Sequence, residues 1–318
     1  MLDSMIVVDL TQQLPGPFAT ALLSSLGARV LKVEPPDGDP SRVLDPAMFS
    51  RVNAGKESIR LDLKTPQGQA ELHRLVATAD VLVESFRPGV ADRIGAGWET
   101  CRSLNPRLVH CSVTGFGPAG PYAHVPMHDL NVLAWGDPES ARLSAGRIGV
   151  PWVDLGAGTT AALLIVSAWQ ATARGGAGRH LDLSMQDVAL SWSRVKPVRA
   201  GGEPSYSVYR TADDRDVVIA ILEDHFWLRL CVGLGLSDLG DDPALATYEG
   251  RRSRANEIDQ RLAQAVALLS IAEVLRIAAA SDLPVTPLDP ADDSRAIEHL
   301  ADSGFANGAF RLPIASPA

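Results

Sequence analysis

His128 and Asp154 are the residues of this 318-residue chain whose types and surroundings best suit chemistry. His128 stands beside Asp129 in a stretch rich in Gly and Pro, residues 115–154, where irregular backbone and function tend to coincide. Asp154 opens an uncharged run, VDLGAGTTAALL. An imidazole titrates near neutrality and serves as a proton carrier, and a carboxyl serves as acid, base or nucleophile. Each also has a structural reading. His128 can be an ordinary loop residue, and Asp154 can be the N-cap of the helix it precedes. The other histidines point elsewhere: His73 and His299 fall on polar segments and His110 alternates within a strand. Several motifs are absent. No GxGxxG follows the first apolar segment, Gly55-Lys56 is followed by Glu57 and so makes no Walker loop, and there is no HExxH, paired CxxC or GxSxG. Chemistry by side chains on an organic ligand, with no metal and no bound cofactor, is the expectation.

The elements that must hold these residues alternate. MIVVDL, ARVLKVE, SIRLDL, DVLVESF and RLVHCSVT read as strands. Between them, PGPFATALLSSLGA and TPQGQAELHRLVATA read as helices, the first with Pro at its start and Gly27 near its end. This spacing predicts βαβ units and a parallel sheet covered on both faces. A helix near 156–173, then a turn, a strand and a helix over GGAGRHLDLSMQDVAL, complete the large domain, residues 1–193. Residues 194–207 read as a linker and 208–290 as a smaller α+β domain. That domain opens on a hairpin, YSVYRTADDRDVVIAIL, and carries one amphipathic helix over QRLAQAVALLSIAEVLRIAAA. Residues 291–318 form a return segment.

Composition bounds the partners. Lys plus Arg is 29 and Asp plus Glu is 38, a formal charge of −9, which argues against nonspecific binding to nucleic acid or anionic membranes. Cys101, Cys111 and Cys231 form no disulfide framework, and the N-terminal segment has no basic n-region, so a cytoplasmic protein is expected. The uncharged run Leu155–Ala173 carries two Gly, three Thr, Ser and Gln and reads as a buried helix, not a membrane span.

Six ordered segments carry a resemblance: LPGPFATALLSSLGARVLKVEPPDGDPSR, NAGKESIRLDLKTPQG, ADVLVESFRPGVADRIG, NPRLVHCSVTGFGPAGPY, HDLN and VDLGAG. Together the chain resembles the family III CoA-transferase (CaiB/BaiF-like) superfamily, and within it most resembles the 2-methylacyl-CoA racemases. The resemblance implies a Rossmann-like large domain, a small domain and two chains interlocked as a homodimer. It also implies a CoA thioester as substrate. Asp154 matches the aspartate that transferases use as a nucleophile forming mixed anhydrides and thioesters. His128, in MHDLN, matches the histidine that racemases add, and Glu223, in LEDHF, matches the glutamate that supports it. For the ligand, Leu61, Asp62, Leu63 and Lys64 match the adenine and phosphate end, and Met127, Asp129, Leu130, Asn131 and Val132 lie near the thioester. Phe86 and Arg93 fall on positions lining the CoA site, and Arg87 and Arg42 read, by charge alone, either as phosphate contacts or as surface salt bridges. Met127 stands where racemases carry Gly, a residue freer to enter positive φ.

Inverting an α-carbon needs a base on one face and an acid on the other. Neutral His128 and protonated Asp154 would supply them through a thioester enolate, if burial or a like charge raises the Asp154 pKa. Racemisation of a 2-methylacyl-CoA is therefore the leading expectation. Transfer of CoA through Asp154 alone is the alternative, and a repurposed or non-catalytic family member that binds a CoA-type ligand is a third.

Overall fold

The computed structural model describes residues 1–144, 146, 149–195 and 202–302, which divide into two compact units, the break falling between 195 and 202. The first unit is built on a six-stranded parallel sheet. Its elements are β1 (Ile6–Asp9), α1 (Pro15–Ser25), β2 (Arg29–Glu34), β3 (Glu57–Arg60), α2 (Pro66–Thr78), β4 (Val81–Glu84), α3 (Trp98–Leu104), β5 (Val109–Thr114), α4 (Asp129–Gly136), α5 (Trp152–Ala173), β6 (Arg179–Ser184) and α6 (Met185–Val195), with short helical turns between them. The strand order is β3-β2-β1-β4-β5-β6, which reverses direction at β1 and β4. The α/β class read from the alternation is the class observed.

Side-chain alternation divides the core. Val7, Val81 and Val83 face α1 and α5, where Ala19, Leu22, Leu23, Ala157, Ala161 and Ile165 are buried with them. Val8, Leu10 and Leu82 face Leu72, Val76 and Cys101 on the other side. Burial on both faces explains why these strands read as nearly continuous apolar runs. Helix α5 is long and apolar enough to cross a membrane by length and composition, but here it packs against the sheet. Gly158 makes that approach possible, because a Cβ there would sit 2.6 Å from the Pro15 carbonyl oxygen and 2.8 Å from the Phe18 ring. Gly16 does the same for Thr11, whose Cβ would lie 2.3 Å from an added methyl.

The stretch 115–154 is less irregular than its composition suggests. It holds α4 and a second short helix, Pro138–Leu143, started by Pro138 and capped by Asp137, whose Oδ1 accepts from the Ser140 amide at 3.1 Å.

The second unit carries an antiparallel sheet of β7 (Tyr206–Arg210), β8 (Asp216–Ala220) and β9 (Val285–Pro287), with β8 central. The hairpin read from the sequence is β7–β8. Helices α7 (Asp224–Leu234), α8 (Ala255–Val266) and α9 (Ile271–Ser281) bury Trp227, Leu230, Ile258, Leu262 and Val274 against Val217 and Ile219. One expectation is corrected: QRLAQAVALLSIAEVLRIAAA is two helices, α8 and α9, bent by 115°. Ser270 breaks the run. It caps α9 while Glu273 reaches back to its amide at 2.8 Å, a capping box that competes with helix continuation. Of the span 194–207 read as a linker, 196–201 lie outside the described residues, as do 303–318 of the return segment.

Candidate active site

In a parallel sheet every strand ends at the same edge, and ligands of open α/β sheets bind outside those carboxyl ends where the strand order reverses. The loops that follow β1, β4 and β5 therefore form the edge where the candidate residues should collect. The loop after β1 is held from below. Buried Asp9, the last residue of β1, takes hydrogen bonds from the Thr11 amide at 2.9 Å and the Thr20 hydroxyl at 2.6 Å, and pairs with Lys56 Nζ at 3.0 Å. Burial alone would raise the Asp9 carboxyl, but the Lys56 and Lys32 ammoniums and the two threonine hydroxyls hold it well below the usual carboxylate range. Lys32 is itself buried, donating to the Thr11 carbonyl at 2.8 Å and pairing with Asp39 at 3.0 Å. Gln13, in the middle of this loop, has φ of +65°, an uncommon conformation for a residue with a side chain.

Asp154 stands at the same edge. It is the third residue of α5, one turn before Gly158 and on the same stripe of the helix, and Gly158 packs on Pro15, the first residue of α1, where the loop after β1 ends. It is not the N-cap; Pro151 holds that position and offers no side-chain cap. Asp129 caps the helix from α4 instead, its Oδ1 accepting from the Val153 amide at 2.8 Å and the Asp154 amide at 2.9 Å. Burial pushes the Asp154 carboxyl up to about 7, and the neighbouring Asp129 carboxylate adds to the rise. The positive end of the α5 dipole favours the ionised form, and burial outweighs it.

His128 occupies the N-cap of α4, exposed, with its backbone N–H donating to Asn131 Oδ1 at 2.9 Å. It is thus one residue from the carboxylate that holds the Asp154 amide. Met127 has no positive φ and needs none. Its side chain fills the space that Gly115 leaves, since a Cβ on Gly115 would meet Met127 Cγ at 2.6 Å. Leu130 and Asn131 are exposed on the first turn of α4, and Val132 is buried in the core.

The other expected contacts lie along the edge. Leu61, Asp62, Leu63 and Lys64 follow β3. Leu61 and Leu63 pack on the core, Asp62 Oδ1 accepts from the Lys64 amide at 3.0 Å, and the Lys64 side chain is exposed. Phe86, half-buried, and Arg87, exposed, follow β4, and exposed Arg93 ends the short helix Val90–Arg93. Arg42 is committed elsewhere, to a two-pronged pair with Glu34 at 2.7 Å on both contacts, which holds the Glu34 carboxyl down at about 2. Glu223 belongs to the second unit, exposed at the N-cap of α7. His110 is buried, as its strand position implies, and contacts the Ala96 carbonyl at 2.9 Å. His73, expected to be solvated, contacts the Gly95 carbonyl at 2.8 Å.

Sequence reading missed the capping of α5 by Asp129 and the buried pairs Asp9–Lys56 and Lys32–Asp39. The only cue to the latter was charge inside apolar strands. Among the described residues, no group of His, Cys, Asp and Glu forms a metal-binding cluster.

Comparison with known proteins shows the family and the fold. A family model described as CoA-transferase family III matches residues 2–309. An acetyl-CoA:oxalate CoA-transferase of Acetobacter aceti is 37% identical over 314 residues, covering 90% of this chain and 80% of that protein. A succinate–glutarate CoA-transferase of Agrobacterium fabrum is 31% identical over 321 residues, with the same coverage of each. Among solved structures, a CAIB/BAIF family protein from Brucella suis is 29% identical with a TM-score of 0.78, covering 96% of this chain and 88% of that one. A hypothetical protein from Mycobacterium tuberculosis is also 29% identical, with a TM-score of 0.80 over 100% of this chain and 92% of that one.

Proposed function

The chain belongs to CoA-transferase family III, and from that premise we propose that it moves CoA from an acyl-CoA to a free dicarboxylic acid with Asp154 as the nucleophile. The observation that carries the reading is the placement of Asp154: one carboxyl at the carboxyl edge of the sheet, its amide fixed by Asp129, its pKa raised to about 7 by burial. Such a group is half ionised near neutrality, and its carboxylate, poorly solvated, is a stronger nucleophile than an exposed one. It attacks the thioester carbonyl, giving a mixed anhydride and CoA thiolate. The thiolate then attacks the aspartyl carbonyl, releasing the first acid and leaving an aspartyl-CoA thioester. The incoming carboxylate and the returning thiolate repeat the two steps in reverse order. Protons are not consumed, and the scheme needs no cofactor beyond CoA itself.

The dicarboxylic class of acceptor follows the relatives, which are named for oxalate and for succinate and glutarate. The CoA moiety would run along the edge from Leu61–Lys64 past Phe86, Arg87 and Arg93 to Met127–Val132. Transfer is preferred to the racemisation expected from MHDLN because the relatives reported above are named as transferases. One observation keeps the second reading: His128 is one residue from the carboxylate that holds Asp154, so imidazole and protonated carboxyl could flank an α-carbon.

The test is to incubate the protein with acetyl-CoA and oxalate, or with succinyl-CoA and glutarate, and follow new thioester by mass spectrometry. New thioester that is lost in Asp154→Asn supports transfer. Deuterium entering the α-carbon of a 2-methylacyl-CoA in D2O, without a second acid and without new thioester, moves the assignment to racemisation.

A further inference from the structure

The strand that borders the switch point carries a buried carboxyl that transfer does not use. Glu84, the last residue of β4, is 4% exposed, and a carboxylate so placed is costly unless its oxygens are bonded. Its Oε2 accepts from the Phe86 amide at 2.7 Å, and the Ser112 hydroxyl bonds the same carboxyl. Ser112 is the register partner of Glu84 on β5, and Asp182 is the register partner of Ser112 on β6. The Ser112 hydroxyl oxygen lies 3.0 Å from His180 Nε2, and Asp182 Oδ1 lies 3.4 Å from that nitrogen. A proton on Nε2 therefore lets His180 donate to Ser112 while Ser112 donates to Glu84. Trp98 stacks on His180, with centroids 5.5 Å apart and planes 15° from parallel, which fixes the ring that ends the chain.

The bonds continue past Glu84 in the other direction. Ser85 Oγ accepts from the Gln12 amide at 3.2 Å, so the residue after Glu84 ties the end of β4 to the loop after β1. Glu84 and Ser85 together thus join both walls of the crevice at which an open parallel sheet binds its ligand. We infer that Glu84 is a positioning residue that sets the loop 85–87 for the CoA thioester, with Ser112 and His180 holding its carboxylate in place. This rests on the reading that the crevice binds a CoA thioester.

Two readouts test it: steady-state kinetics with the acyl-CoA varied, and hydrogen exchange at the Phe86 amide. Glu84→Ala is expected to raise the thioester KM about tenfold, the loss of a charged hydrogen bond, with kcat within about twofold, and to speed Phe86 exchange. Glu84→Gln keeps an oxygen for the Phe86 amide and should restore most of the KM. His180→Phe keeps a ring to stack on Trp98, loses the bond to Ser112 and the Asp182 contact, and should fall between. A fall in kcat as large as the rise in KM would overturn the proposal, as would an unchanged KM in both Glu84→Ala and His180→Phe. If the wild-type protein transfers no CoA, the function proposed above falls. Phe86 exchange then decides this point alone: faster exchange in Glu84→Ala and His180→Phe sustains it, and unchanged exchange overturns it.

Discussion

Asp154 shows two opposed effects on one carboxyl. The helix start favours its charge and burial disfavours it, and burial wins, with Asp129 adding like charge. Transfer should therefore increase with pH through about 7 as the nucleophile ionises. Asp129→Asn removes the like charge but keeps an oxygen for the two amides, so its pH–rate midpoint should move below that of the wild type. Stability follows the same group with opposite sign. Its folded pKa lies above the unfolded 3.8, so the stability it confers is complete below that value and is lost as pH rises to about 7. Asp154→Asn, with no charge to bury, should gain on the wild type across that window, by on the order of 2 kcal/mol after partial solvation. Urea denaturation at pH 4 and pH 8 checks this: an equal difference at both would contradict it. The same variant should lose transfer by about a thousandfold or more, because no second step can begin without the acyl-enzyme.

Helix α5 delivers that carboxyl, and its seat on α1 depends on the absence of a side chain. Gly158→Ala would set a methyl against the Pro15 carbonyl and the Ala19 amide, backbone atoms that cannot turn aside. The expected cost is about 1–3 kcal/mol by denaturation. Transfer should fall as well, because Asp154 is one turn away. In the second unit, Ser270→Ala should cost about 1 kcal/mol through the capping box of α9. These two sites also mark what the sequence discloses. Strands such as IVVD and VLVE are legible because burial on both faces demands continuous β-branched and aliphatic residues. The α8–α9 break was legible only through Ser270 and Glu273, a local signal that the apolar periodicity running through it conceals. The helix Pro138–Leu143 was hidden by a Gly/Pro-rich setting, although Asp137-Pro138 is itself a helix start. The close approach at Gly158 has no local signal, because it depends on which helix lies opposite.

At the scale of the whole molecule, the parallel sheet does what the resemblance requires of it. Segments distant in sequence, 10–14, 61–64, 85–87 and 127–132, end at one edge because every strand points the same way. Asp154 and His128 were legible as candidates from residue type and loop context. The link between them through Asp129 was not, since a carboxylate capping another element's helix leaves no trace in spacing. The sequence pattern MHDLN points to proton transfer at carbon, whereas the relatives are named for transfer between acids, and Asp154 is common to both readings. Oxygen isotopes separate them most directly. The acceptor acid would carry 18O in its carboxylates, and after a single turnover with unlabelled acyl-CoA the peptide containing Asp154 would be weighed. Double displacement moves one acceptor oxygen into the Asp154 carboxylate, so the account predicts a one-oxygen isotope shift on that peptide together with labelled thioester. Labelled thioester formed with Asp154 unlabelled, or no new thioester at all, would contradict it.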